Sequence, residues 1–218
     1  MTSTETKAWA SLTWPNRISL LRLLLVAPFV VLVMNQGQWV HARHAALGVF
    51  VLMAISDAVD GMLARRLNQT SRLGAILDPL ADKVLIVCSV VLLSLPASAV
   101  PGVKISNWAV VAVVGKDLWV VAGFIVVYLV TDRFMVCPTR AGKASTFGQL
   151  VMVVLVLVAP DINRLGRSAG SYLAAAAWWA VTGLSVLAVI SYTRLGLRFV
   201  AAEGKLLDGE EAPPEEEE

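Results

Sequence analysis

The chain has little of what most soluble enzymes are built around. Its 218 residues include only two histidines and two cysteines. Cys88 and Cys137 stand far apart with no CxxC or Cys/His spacing, which argues against a disulfide framework and a cysteine metal site, and leaves two free, reduced thiols. His41 and His44 fall between apolar runs and read as polar loop residues rather than ligands. No apolar run alternates as barrel strands do, and no unit of 20 to 50 residues repeats, so a β-barrel and a solenoid are both excluded. The N-terminus lacks a basic stretch feeding a short apolar core and a small-residue cleavage site, so no secretory signal is read there. Charge is also scarce, at 16% of residues.

What is present is apolar length. The chain is 57% hydrophobic, with a mean hydropathy of +0.72, and its apolar residues come in runs long enough for a bilayer core of about 30 Å. An integral, all-α membrane protein follows, because helices satisfy their own backbone groups in lipid. Six spans are expected, at 18–35, 45–64, 76–99, 107–131, 146–160 and 172–195, the fifth cut short at Pro160. The domain division is a juxtamembrane segment 1–15, a six-helix domain 16–200 and an acidic disordered tail 201–218. Trp9 and Trp14 suit a short interfacial helix in the first segment, with a plain leader as the alternative.

Lys and Arg are distributed unevenly between the two sides of this arrangement. Twelve fall with the two termini and the loops after spans two and four, including Arg17, Arg22, Arg65 and Arg140, whereas four, Arg43, Lys104, Arg164 and Arg167, fall on the other side. The chain is therefore read as a multi-pass protein of the cell membrane with both termini cytoplasmic. Residues 203–218 hold eight of the sixteen acids and one of the eighteen bases, so the formal +2 conceals a body near +9. Such a body suits an anionic membrane face or an anionic substrate, and no nucleic-acid partner is expected.

Against this background four aspartates stand out in "ISDAVDGMLARRLNQTSRLGAILDPLADKVL", residues 55–85. An aspartate at membrane depth costs about 2.5–3.5 kcal/mol on insertion scales, so several together need a counter-charge. Asp57 and Asp60 are three apart, about 60° around one helix, and Asp78 and Asp82 are four apart, about 40° around the next. Each pair shares a face, and the short loop between the helices makes them expected neighbours. Convergent oxygen ligands without His or Cys suit hard cations such as Mg²⁺ or Mn²⁺, and four carboxylates can hold two ions about 3.5–4 Å apart. Gly61, Ala64 and Gly74 remove bulk beside the acids, and Arg65 offers a fork for a phosphate or nucleobase oxygen.

The string Asp57-x-x-Asp60-Gly61-x-x-Ala64-Arg65, then Gly74, Asp78 and Asp82, resembles at every fixed position the signature of the CDP-alcohol phosphatidyltransferase family. The resemblance covers roughly residues 14–196 and leaves the acidic tail outside. It implies transfer of a phosphatidyl group from CDP-diacylglycerol to an alcohol with release of CMP, in anionic phospholipid biosynthesis, at a cytoplasmic site. By position, Asp57, Asp60, Asp78 and Asp82 are metal ligands for two divalent ions and Asp82 is also general base, while Asp57, Gly61, Ala64, Arg65 and Gly74 shape the CDP site. A homodimer is implied as well.

Three further stretches bear on the acceptor. "PNRISLLR", residues 15–22, resembles the family's opening pattern, with Asn16, Ser19 and Arg22 on one helical face. "RAGKASTFGQ", residues 140–149, resembles the GKxxTxxQ element of members that make phosphatidylglycerophosphate or cardiolipin, which makes Arg140, Lys143, Thr146 and Gln149 acceptor candidates. Lys116 and Asp117 lie mid-span, point about 100° apart, and are each expected to find a partner elsewhere. They resemble the arginine-aspartate element of cardiolipin synthases, with lysine for arginine. Glycerol 3-phosphate and phosphatidylglycerol are the expected acceptors, inositol phosphate or serine the alternatives, and a polytopic cation-dependent transporter the alternative from another class. The last would be expected to carry repeat symmetry, which is not visible.

Overall fold

The computed structural model describes residues 14–67, 74–131, 139–166 and 168–207, with side chains left undescribed at 14–19, 58–67, 74–82, 124, 127–131, 200 and 202–207. Every regular element among the described residues is helical. They are α1 (Trp14–Met34), α2 (Ala42–Leu67), α3 (Gly74–Ser94), α4 (Asn107–Thr131), α5 (Arg140–Leu165) and α6 (Ala169–Leu207). The candidate juxtamembrane helix around Trp9, residues 208–218 of the expected tail and Cys137 lie outside the described residues, whereas 201–207, expected within a disordered tail, continue α6; Cys88 is a free thiol.

Each helix buries a stripe at helical spacing. On α1 the stripe is Arg22, Val26, Phe29 and Val33, and on α2 it is Ala46, Phe50 and Met53, with the partly exposed Asp57 next along the same face. The two helices run antiparallel, so Phe29 meets Phe50 with ring centroids 5.8 Å apart, and the charged ends of the stripes meet one another. Helix α3 buries Leu85, Ile86, Val90 and Leu93 against α1, and the same core continues into Met152, Val153, Val156 and Leu157 of α5. Many large apolar side chains nonetheless face outward, among them Leu24, Trp108, Leu118, Phe147, Tyr172 and Val186. A surface of this kind is that of a membrane-associated protein, and Arg140–Leu165 and Ala169–Phe199 are each long and apolar enough to cross a bilayer.

Helices α5 and α6 form the tightest antiparallel pair. Small residues set their approach: a Cβ on Gly170 would overlap the Ala159 carbonyl, and one on Gly142 would overlap the Tyr192 hydroxyl. Between those ends Ser145 and Ser185 are buried with their hydroxyls 3.3 Å apart.

Several expected boundaries move. Helix α3 stops at Ser94 rather than 99, because Pro96 disfavours helix in the residue before it. Helix α5 is not a short span ending at Pro160. It runs 26 residues from a Thr139 cap, whose hydroxyl accepts from the Gly142 N–H at 3.0 Å, and it passes through Pro160. One turn before Pro160, Arg43 donates to the Leu157 carbonyl at 2.5 Å. His44 is not a loop residue: it sits in the first turn of α2, 3.3 Å from Asp161.

Helices α2 and α3 both pack on α1; the side chains of 58–67 and 74–82, where the expected adjacency of α2 and α3 would be read, lie outside the described residues.

Candidate active site

Asp57 is the one member of the aspartate set whose side chain is described. Its Oδ1 accepts a hydrogen bond from Arg22 Nη1 at 2.5 Å. Arg22 is 1% exposed and Asp57 44%, so a buried guanidinium fixes a carboxylate whose other face is open. An arginine at the start of a first span ordinarily snorkels to the interface. Here the α1 stripe turns it inward, and the short, charge-assisted contact sets the orientation of Asp57. Arg22 is thus the site residue that the signature alone does not name; the signal for it is its place on the Val26, Phe29 and Val33 stripe.

The side chains of Asp60, Asp78 and Asp82, with Gly61, Ala64, Arg65 and Gly74, lie outside the described residues. Their backbones belong to α2 and α3. A divalent ion fits the chemistry of the donor that is described: Asp57 is a hard oxygen ligand, half-exposed, with Oδ1 held and Oδ2 carrying no hydrogen bond to the described residues. Among the described residues no group of three or more His, Cys, Asp or Glu side chains comes together.

The acceptor candidates share one helix. Arg140, Lys143, Thr146 and Gln149 stand three apart from the first residue of α5, an i+3 row whose exposure falls from Arg140 and Lys143 on the surface, through half-buried Thr146, to Gln149 at 0%. The "RAGKASTFGQ" stretch forms the first turns of a capped helix, which begins at Arg140 and not at the expected 146. Gln149 Oε1 and Nε2 are both buried and have no hydrogen-bond partner among the described residues.

Lys116 and Asp117 do not behave as expected from their divergence around the helix. Asp117 Oδ1 takes both Lys83 Nζ of α3 at 2.8 Å and its neighbour Lys116 Nζ at 3.1 Å, because the lysine stem is long enough to fold back across one residue. Lys116 and Asp117 are 3% and 8% exposed. This cluster joins α3 to α4 one residue after Asp82 in the chain. A shallow groove of about 240 Å³ lies beside it between α4 and α6, with almost wholly apolar walls including Val111, Val186, Val189 and Ile190.

The other end of the bundle carries a closed network. Arg43 grips Asp161 with two hydrogen bonds of 2.7 Å, and Arg164 lies 3.8 Å from the same carboxylate. Asn163 donates to Ser171 Oγ at 2.9 Å and accepts from the Ser171 N–H at 3.2 Å, while Ser171 Oγ donates to the Gly102 carbonyl at 2.7 Å.

A family model described as CDP-alcohol phosphatidyltransferase matches residues 12–197. The chain belongs to the CDP-alcohol phosphatidyltransferase family. The matched residues span all six helices up to the last turns of α6. Among relatives, a Mycobacterium tuberculosis protein named "Putative cardiolipin synthase" is 34% identical over 147 residues, which cover 67% of this chain and 65% of that protein. The chain thus spans about two-thirds of that relative's length. A Pseudomonas fluorescens protein named CDP-diacylglycerol–glycerol-3-phosphate 3-phosphatidyltransferase is 29% identical over 203 residues, covering 88% and 93% of the two chains. A Salmonella typhimurium protein of the same name is 30% identical over 206 residues, covering 89% and 97%.

Proposed function

We propose that this protein transfers a phosphatidyl group from CDP-diacylglycerol to a glyceryl alcohol, glycerol 3-phosphate or phosphatidylglycerol, and releases CMP. The observation that carries the reading is that the family match, 12–197, encloses the complete signature from Asp57 to Asp82. The two relatives that match along most of their length carry the glycerol 3-phosphate acceptor in their names, which supports that choice.

In this reading Asp57, Asp60, Asp78 and Asp82 hold two divalent ions, Mg²⁺ or Mn²⁺. When bound, the ions neutralise the pyrophosphate and the charge that develops on the departing CMP. Arg22 keeps Asp57 oriented for that task. Asp57, Gly61, Ala64, Arg65 and Gly74 take the CDP moiety, with Arg65 giving a charged fork to its phosphate oxygens. Asp82 removes the proton of the acceptor hydroxyl as that oxygen attacks the β-phosphorus of the lipid-linked pyrophosphate. Arg140 and Lys143 draw in an anionic acceptor, and Thr146 and Gln149 contact its polar groups. The six helices are six membrane spans, with the site and both termini on the cytoplasmic side, and the protein works as a homodimer.

Purified protein incubated with CDP-diacylglycerol and either divalent ion should convert glycerol 3-phosphate to phosphatidylglycerophosphate, or phosphatidylglycerol to cardiolipin, as read by chromatography of the lipid product. A product only with serine or inositol phosphate would reassign the acceptor. Metal-dependent ion flux across vesicles without lipid product would support transport instead.

A further inference from the structure

We infer that residues 208–218 fold back onto the exposed cations at the start of α5 and on the last turns of α6, where they compete with the anionic acceptor. The competition rests on the phosphatidyl-transfer reading; the contact itself does not.

Helix α5 opens with Arg140 and Lys143, both exposed, and Gly142 between them is set against Tyr192 of α6. Just beyond that contact α6 carries Arg194 and, one turn later, Arg198, on one exposed face. Four positive side chains therefore gather at the end of the bundle where α5 begins. Among the described residues none of the four has an ion-pair partner. The described carboxylates do not serve them, because Asp57, Asp117 and Asp161 are held by Arg22, Lys83 and Arg43. Like charges brought this close repel, and an anion that settles among them relieves the repulsion.

The chain itself supplies such an anion. Residues 208–218, "DGEEAPPEEEE", hold seven acids and no base. Helix α6 runs unbroken to Leu207, so at about 1.5 Å per residue it delivers the first of these acids about 22 Å beyond the level of Tyr192. Eleven residues span at most about 36 Å at about 3.3 Å each, which is enough to return to Arg198 and Arg194 and to cross to Lys143 on the neighbouring helix. Exposed ion pairs are individually weak, but tethering holds the acids at an effective concentration in the millimolar range. The contact is accordingly partial and sensitive to salt. An acceptor that carries a phosphate is drawn by the same Arg140 and Lys143, so each anion lowers the occupancy of the other.

The test uses the full chain in neutral detergent. A carbodiimide joins a carboxylate directly to a lysine that touches it, so at low salt Lys143 should become linked to acids among 208–218, as read by mass spectrometry of the peptides. The yield should fall more than about threefold at about 1 M salt, where the Debye length is about 3 Å, and likewise at low salt in the double variant Arg194→Gln, Arg198→Gln. Links confined to Lys205, or a Lys143 link indifferent to both salt and the variant, overturn the contact while leaving phosphatidyl transfer standing. In a second measurement Asp208 is changed to Asn and Glu210, Glu211 and Glu215 to Glu218 are changed to Gln. At low salt KM for the acceptor that is used, glycerol 3-phosphate or phosphatidylglycerol, should fall about 2–5-fold with kcat unchanged, and the difference should vanish at high salt. An equal or higher KM at low salt overturns the competition. Absence of lipid product from both proteins removes the competition together with the transfer reading, and the crosslinks still decide the contact.

Discussion

The two ends of the bundle use polar groups in opposite ways. At the Asp161 end the groups are matched to one another: Arg43 donates twice to Asp161 and once to the carbonyl beside Pro160, and Asn163 and Ser171 exchange hydrogen bonds. Gln36 Oε1 is the exception there. At Asp57 and at Gln149 the matching stops short: among the described residues Asp57 is gripped on one oxygen, and the buried amide of Gln149 has no hydrogen-bond partner. A closed network clamps helices, whereas an incomplete one keeps its bonding capacity for something that arrives. The proposed reaction draws on these incompletely matched groups, and the contrast gives a physical reason for that assignment.

The contrast can be broken from either side. Arg22→Met should have the largest effect, because the partner that orients a metal-ligating carboxylate typically matters 10- to 100-fold; a loss of about that size in activity is expected, together with a rise in the divalent-ion concentration giving half-maximal rate. An unchanged metal dependence would mean that Arg22 only packs. Gly170→Ala, at the closed end, should cost about 1–3 kcal/mol of stability, because the new methyl meets a backbone carbonyl that can yield only if the helices part. Arg43→Met should cost about 1–2 kcal/mol, a value discounted for the partial exposure of Asp161, and the activity of the folded fraction should be retained. Thermal unfolding in detergent measures both, and a drop in the specific activity of folded Arg43→Met would show that the two ends are coupled. Ser185→Ala should be smallest, about 1 kcal/mol, from the loss of one buried hydroxyl contact with Ser145.

Much of the helical plan was legible because apolar length alone reports it: all six expected spans overlap the six described helices. Helix ends were less so. Hydropathy could not see that "RAGKAS" is the capped start of α5, since capping by Thr139 depends on one hydroxyl and not on apolar content. Pro160 suggested a stop, and the helix runs on through it to Leu165. The candidate site was legible as a motif and not as an arrangement. The spacing of Asp57 and Asp60 identifies a shared face, but the arginine that α1 delivers to Asp57 follows from tertiary packing that no local pattern encodes. Gln149 was named by its resemblance to an element, while its unmatched amide became visible only when burial and bonding were known together.

The most direct measurement is acceptor-dependent release of CMP from CDP-diacylglycerol by purified wild-type protein and Asp82→Asn, with and without Mg²⁺ or Mn²⁺. The account predicts CMP only when metal and a glyceryl acceptor are both present, and a fall of about 10²–10⁴-fold in Asp82→Asn with its fold retained. CMP release by Asp82→Asn at the wild-type rate would contradict the assignment of the base, and no CMP from the wild type with either acceptor would contradict the proposed reaction.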